Sequence, residues 1–146
     1  MEILNRKAKY DYQIFETYEA GIVLTGTEVK SIRNGKCNLK DSYVVINNNE
    51  VYVLNMHISN YEKGSFNNVD EKRTRKLLLN RKEINKINEK IKIKGFTIVP
   101  LKLYFIKGKA KLEIGVAKGK HIYDKRETIK ERDINKSIKK EIKYTI

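Results

Sequence analysis

The chain has 146 residues, 32 Lys and Arg against 18 Asp and Glu, a net charge of +14 and a single cysteine. That length suits one domain with at most an appendage, able to bury about 70% of its unfolded surface without a disulfide or metal. Cys37 alone excludes an intramolecular disulfide framework, no apolar run reaches the roughly 20 residues of a membrane span, and MEILNRKAKY lacks a signal peptide's apolar core; a soluble cytoplasmic protein is expected.

In chain order, Asn5, Arg6 and Lys7 lead into Tyr10 and Tyr12, and Tyr12 to Tyr18 alternates loosely as a first strand. Ile22 to Leu24 reads as a second strand, followed by a turn at Gly26 and a short helix with Thr27 as N-cap. Glu28 in its first turn suits the positive end of the helix dipole. Val29 and Ile32 share one helical face, Lys30 and Arg33 another, and Gly35 ends the helix. Tyr43-Val44-Val45-Ile46 and Val51-Tyr52-Val53-Leu54 flank three asparagines, which tolerate the left-handed geometry of a hairpin loop. Tyr61 to Glu71 has turn chemistry and reads as a surface loop. Asn80 followed by Glu83 predicts a capping box, with Ile84, Ile87 and Ile91 at helical spacing and Gly95 beyond them. Thr97 to Ile106 is an apolar strand whose Pro100 belongs at an edge or bulge. Lys107-Gly108 turns the chain, and Lys109 to Val116 alternates with Ala110, Leu112, Ile114 and Val116 facing in. Residues 118 to 146 carry ten Lys and Arg, five Asp and Glu, and a thin stripe of Ile134, Ile138 and Ile142. Such a tail is expected to be mobile alone and to order on RNA.

The pattern predicts a mainly β protein: an OB-like antiparallel barrel over residues 1–120 with small flanking helices, and a basic C-terminal tail over 121–146 in which nothing forbids a helix. No catalytic constellation stands out. His57 and His121 lack metal-ligand neighbours, Cys37 lacks an activating partner, and the carboxylates are scattered. The charge suits a polyanionic partner, although 25 Lys against 7 Arg also fits a surface merely solvated by lysine. RNA binding asks for cations near flat rings and hydrogen-bonding groups. Three clusters offer them: Asn5, Arg6 and Lys7; Arg73, Arg75 and Lys76 before Leu77-Leu78-Leu79; and Lys118 and Lys120 before Tyr123, Lys125 and Arg126. Of the nine tyrosines, Tyr43, Tyr52 and Tyr104 lie in strands, and at least half of these are expected inside.

Four strings occur in an order that resembles the SsrA-binding protein (small protein B) family: Asn5-Arg6-Lys7-Ala8, EAGIVLTGTEVKSIRNGKCNLKDSY over 19–43, Arg73-Thr74-Arg75-Lys76-Leu77-Leu78-Leu79, and Gly115-Val116-Ala117-Lys118-Gly119-Lys120 with Asp124-Lys125-Arg126. The resemblance implies an OB-like barrel that binds the tRNA-like domain of transfer-messenger RNA, with Asn5, Glu19, Leu78 and Lys111 on that surface. It also implies a tail that reaches the small-subunit decoding region and lies in the empty messenger channel. Tyr123, Asp124, Lys125, Arg126, Lys130, Arg132, Lys136, Lys139 and Lys140 would contact the ribosome there. Elongation factor Tu and alanyl-tRNA synthetase are implied as partners through the RNA; no cofactor or membrane is. The chain departs from the family pattern at 60–71, which lacks two prolines and a histidine, and at Ile134, where some relatives have tryptophan.

Overall fold

The computed structural model describes residues 2–61 and 68–120. Among the described residues, nine strands and three helices run in the order β1 (Glu2–Leu4), α1 (Arg6–Asp11), β2 (Tyr12–Ile22), α2 (Gly26–Arg33), β3 (Cys37–Asn38), β4 (Tyr43–Asn47), β5 (Glu50–Leu54), β6 (His57–Ile58), β7 (Arg75–Leu78), α3 (Arg81–Ile91), β8 (Phe96–Ile106) and β9 (Lys109–Gly119). Antiparallel pairing runs β8-β4-β5-β7-β2-β9 and returns to β8, so six strands close a ring. β1 adds to β8 beside β4, and β3 pairs with β6 as a small separate ladder. The expected antiparallel barrel with small flanking helices is thus observed.

Two hairpins close as their residues dictate. Asn48 and Asn49 have φ of 52° and 62°, as do Lys107 and Gly108 at 50° and 80°. Two consecutive left-handed residues make the primed turn whose twist matches the flanking strands. Inside the ring, Ala20, Val51, Val53, Leu77, Ile98, Leu103, Leu112 and Ile114 form the core. α3 lays Ile84 and Ile87 on one end, where Lys90 also reaches Glu16 at 3.6 Å. α2 buries Ile32 at the other, where Arg33 lies over the Phe105 ring.

Bulges in β2 and β8 explain the loose alternation of the first strand. Pairing with β9 slips between Ile14 and Glu16 on β2, and between Pro100 and Lys102 on β8. Each slip flips the side on which successive residues emerge. Tyr18, Ala20 and Ile22 therefore point inward, whereas Tyr12 and Ile14 pack outside with Val99, Leu101 and Ala117 beneath Ala8 of α1. Pro100 stands at the bulge, where its missing N–H costs the ladder least.

Some details differ from the sequence reading. β2 is one strand to Ile22, leaving Val23 and Leu24 beyond it. The N-cap of α2 is Thr25, not Thr27: Thr25 Oγ1 accepts from the Glu28 N–H at 3.2 Å, and the Thr25 N–H donates to Glu28 Oε1 at 2.9 Å. That reciprocal pair needs a Glu three residues after the cap, which only Thr25 has. Of Tyr43, Tyr52 and Tyr104 none is buried, because the outer pleat of a ring takes alternate residues. The 61–71 loop is described only at its ends, where Tyr61 and Asn68 exchange hydrogen bonds of 3.0 and 2.9 Å. The tail and its readings lie outside the described residues.

Glu28 binds α2 to β7. It is 4% exposed and receives Arg73 Nη2 on Oε1 at 2.6 Å and Arg75 Nε on Oε2 at 2.7 Å. Arg75, with no exposed surface, also donates to the carbonyls of Met56, Arg73 and Glu71 at 2.6, 3.2 and 3.1 Å. Burial alone would raise the Glu28 carboxyl; hydrogen bonds from Arg73, the Thr25 N–H and Arg75 outweigh it and hold the group below its ordinary value of 4.5. Glu28→Ala, which strands Arg75 without a counter-charge, is expected to cost about 3–5 kcal/mol in urea unfolding. Because the folded value lies below the unfolded one, the wild-type contribution is complete above about pH 4.5 and is lost as pH falls through the folded value. Unfolding midpoints measured from pH 6 to 3 should show that loss in the wild type and a smaller one in Glu28→Gln.

Candidate nucleic-acid interface

A row of directly opposed residues crosses the outside of the barrel. Leu78 of β7 faces Gly21 of β2, Gly21 faces Lys111 of β9, and Lys111 faces Tyr104 of β8. In the next row, Glu19 faces Glu113, which faces Lys102. Leu77 and Leu112 are the inward neighbours, so Leu78 and Lys111 must project outward. Leu78 is 53% exposed, an unusual place for a leucine unless something covers it. Gly21 keeps the row low: a Cβ there would stand 3.3 Å from Leu78 Cβ.

The polar groups of this patch are held rather than loose. Tyr104 donates its hydroxyl to Glu19 Oε2 at 2.6 Å, and Lys102 Nζ lies 5.2 Å from the Tyr104 ring centre. Burial first, then the Glu19 carboxylate, push the Tyr104 phenol well above its ordinary value of 10.0, so it remains a donor. The partner of Glu19 is this tyrosine, and its direct β9 neighbour is Glu113. Two carboxylates, two ammonium groups, a ring and an alkyl side chain thus share one surface. They offer an acceptor for a 2′-hydroxyl or base amine, cations for phosphates and apolar contact for a sugar.

The other predicted residues are dispersed. Asn5 is buried, and its side chain is occupied: Nδ2 donates to the Pro100 carbonyl at 2.8 Å and to the Leu39 carbonyl at 3.4 Å, while Oδ1 caps α1 through the Ala8 N–H at 3.2 Å. Its own N–H donates to the Leu101 carbonyl at 2.8 Å. Asn5 therefore holds the β8 bulge, where it was expected to face a ligand. Arg6 is exposed, and Lys7 reaches Asp41 at 3.1 Å. Arg73 and Arg75 were expected to meet phosphates; Glu28 draws both inward, and Arg75 has no surface to offer. Lys76 is exposed and reaches Glu50 at 3.3 Å. At the far end of β9, Lys118 lies over Phe96, and Lys120 donates to the Lys9 carbonyl at 3.4 Å. The structure thus unites Glu19, Leu78 and Lys111, and separates them from Asn5, Lys118 and Lys120.

Sequence reasoning missed Tyr104 and Gly21. Their signal was register: once the Lys107-Gly108 turn is fixed, Tyr104 must lie opposite Lys111. Among the described residues, no group of three or more His, Cys, Asp or Glu is gathered to hold a metal, and no helix is long and apolar enough to cross a membrane. Burial pushes the Cys37 thiol up to about 12, far from a thiolate nucleophile.

A family model described as SmpB protein matches residues 2–144. The SsrA-binding protein of Thermoanaerobacter pseudethanolicus is 60% identical over 139 residues, 95% of this chain and 89% of that protein. The SsrA-binding protein of Acetivibrio thermocellus is 58% identical, over 95% of this chain and 90% of its own. A solved chain described as "tmRNA-SmpB: a journey to the center of the bacterial ribosome" superposes with a TM-score of 0.73 at 46% identity, covering 94% of this chain and 96% of that one.

Asn5→Ala removes a helix cap and takes the side-chain donor from the Pro100 carbonyl, whereas the Leu39 carbonyl keeps the Ser42 N–H and hydroxyl. It is expected to cost about 2–4 kcal/mol in chemical denaturation. Arg6→Ala, on the exposed side of the same helix, should change stability by less than about 0.5 kcal/mol.

Proposed function

This chain belongs to the SmpB protein family, and from that premise we propose that it is an RNA-binding factor of trans-translation, which binds transfer-messenger RNA and acts with it at the ribosome. The observation that carries the reading is the outward row of Leu78, Gly21, Lys111 and Tyr104 with Glu19 beside it, on a chain of net charge +14. The row is rigid because it sits on four strands, and it mixes charge, hydrogen bonding and an exposed alkyl group. A surface that used phosphates alone would need only cations. This one is suited to a folded RNA whose sugars and unpaired bases come within reach.

The surface would hold the tRNA-like domain of that RNA. Arg6, Lys7, Lys76, Lys118 and Lys120 would contribute longer-range attraction, falling off within a Debye length of about 10 Å at 0.1 M salt. Asn5, Arg73 and Arg75 would act by fixing the backbone that presents the others. The basic tail from Tyr123 through Asp124, Lys125 and Arg126 to Lys130, Arg132, Lys136, Lys139 and Lys140 would enter the decoding region and the vacant messenger channel. Occupancy of that channel by message would exclude it, so only stalled ribosomes would be chosen. Elongation factor Tu and alanyl-tRNA synthetase would meet the protein through the RNA, in the cytoplasm. The barrel's share is binding; no step of bond chemistry is assigned to it.

Lys111→Ala is expected to weaken binding of the tRNA-like domain and to reduce the slope of log affinity against log salt by about 1. Leu78→Asp should weaken it further by placing a carboxylate against RNA. Both proteins should melt within a few degrees of wild type, and affinities equal to wild type would refute the proposed surface. Removing residues 124–146 should leave RNA binding intact and abolish peptide tagging in a reconstituted translation system; loss of both together would contradict the division of labour.

A further inference from the structure

The β2 bulge leaves Phe15 49% exposed to solvent at the end of the barrel remote from the Leu78 row. The ring is not loose. It meets Phe96 edge to face, with centroids 5.2 Å apart and planes at 69°. Lys118 Nζ lies 4.5 Å from the Phe96 ring centre and 6.0 Å from that of Phe15. Cation–π attraction of this kind fixes an ammonium group in place beside the rings. Exposed Gln13 faces Lys118 across the β2–β9 ladder. Exposed Lys94 precedes Gly95, where a Cβ would stand 3.9 Å from Lys118 Cε. Glu16, the nearby carboxylate, is answered by Lys90.

The fold does not require an aromatic ring at position 15. The bulge reverses the alternation of β2 whatever side chain stands there, and the inner core is filled by others. Exposing much of a phenylalanine forgoes burial that would otherwise stabilise the chain. A flat ring beside a fixed ammonium group is what a single-stranded nucleic acid uses, with the ring taking a base and cations its flanking phosphates. Lys118 stands seven residues along β9 from Lys111, about 23 Å at the rise of a strand. One nucleotide cannot reach both, so the contact differs from the Leu78 row.

We propose that Phe15 is a stacking platform for an unpaired base of the RNA that the barrel binds, with Lys118 and Lys94 taking the adjoining phosphates. The inference rests on the RNA-binding reading above and adds a second point of attachment to it.

The test uses the full chain and two fluorescein-labelled probes, a single-stranded RNA of about 12 nucleotides and the tRNA-like domain. Anisotropy titrations compare wild type, Phe15→Ala and Phe15→Trp. The last introduces the only tryptophan, since the chain has none. Phe15→Ala should weaken binding of the single strand by about 5-fold to 100-fold. Phe15→Trp should retain affinity, and its indole emission should be quenched as the strand saturates, a readout that folding defects do not mimic. Unchanged affinity in Phe15→Ala together with unquenched emission in Phe15→Trp overturns the inference. If the tRNA-like domain still binds wild type in that case, the inference fails alone; if neither probe binds wild type, the RNA-binding reading fails with it.

Discussion

Glu28 is a carboxylate taken out of water and held by two guanidinium groups, and the register of the barrel's outward row follows from it. Burying such charges is costly unless every donor and acceptor is met. Arg75 meets the condition by spending its donors on Glu28 and three backbone carbonyls. The consequence is register. With Arg75 and Leu77 inward, Lys76 and Leu78 must point outward, and a slip of one residue would drive a guanidinium into water and Leu78 into the core. The same contacts join the first turn of α2 to β7. The buried network and the exposed row are therefore two faces of one four-residue strand.

The bulges perform a comparable task on the other side of the ring. By reversing alternation, they let β2 and β8 serve the inner core along one stretch and the α1 face along another. Asn5 secures one of them with hydrogen bonds to the residues around Pro100. This places a polar residue under strong constraint from within the fold. A loss of binding in Asn5 variants would then be read first as a change in backbone geometry.

Much of this was legible in the chain. Hairpins at Asn48-Asn49 and Lys107-Gly108, the capping box at Asn80, the inward side of β9 and the bulge at Pro100 all follow from local chemistry. What failed to show was whatever depends on partners distant in sequence. Arg75 looks like a surface cation until Glu28, 47 residues earlier, is brought against it. Thr25 is the exception, because its capping box with Glu28, three residues on, is local and distinguishes it from Thr27. The strand tyrosines look like core residues because ring size suggests burial, yet closure of the ring decides which pleat faces out. Glu19, Leu78 and Lys111 came from the family resemblance, and pairing register now gives a physical reason for their proximity.

The outward row is proposed to select one folded RNA shape where phosphate charge alone would not, and competition binding tests that claim most directly. Labelled tRNA-like domain bound to the full chain at physiological salt would be challenged with unlabelled tRNA-like domain, ordinary tRNA and single-stranded RNA. The tRNA-like domain should displace the label at far lower concentration than the single strand. Equal displacement by all three would mean that charge alone holds the RNA, and would contradict the account.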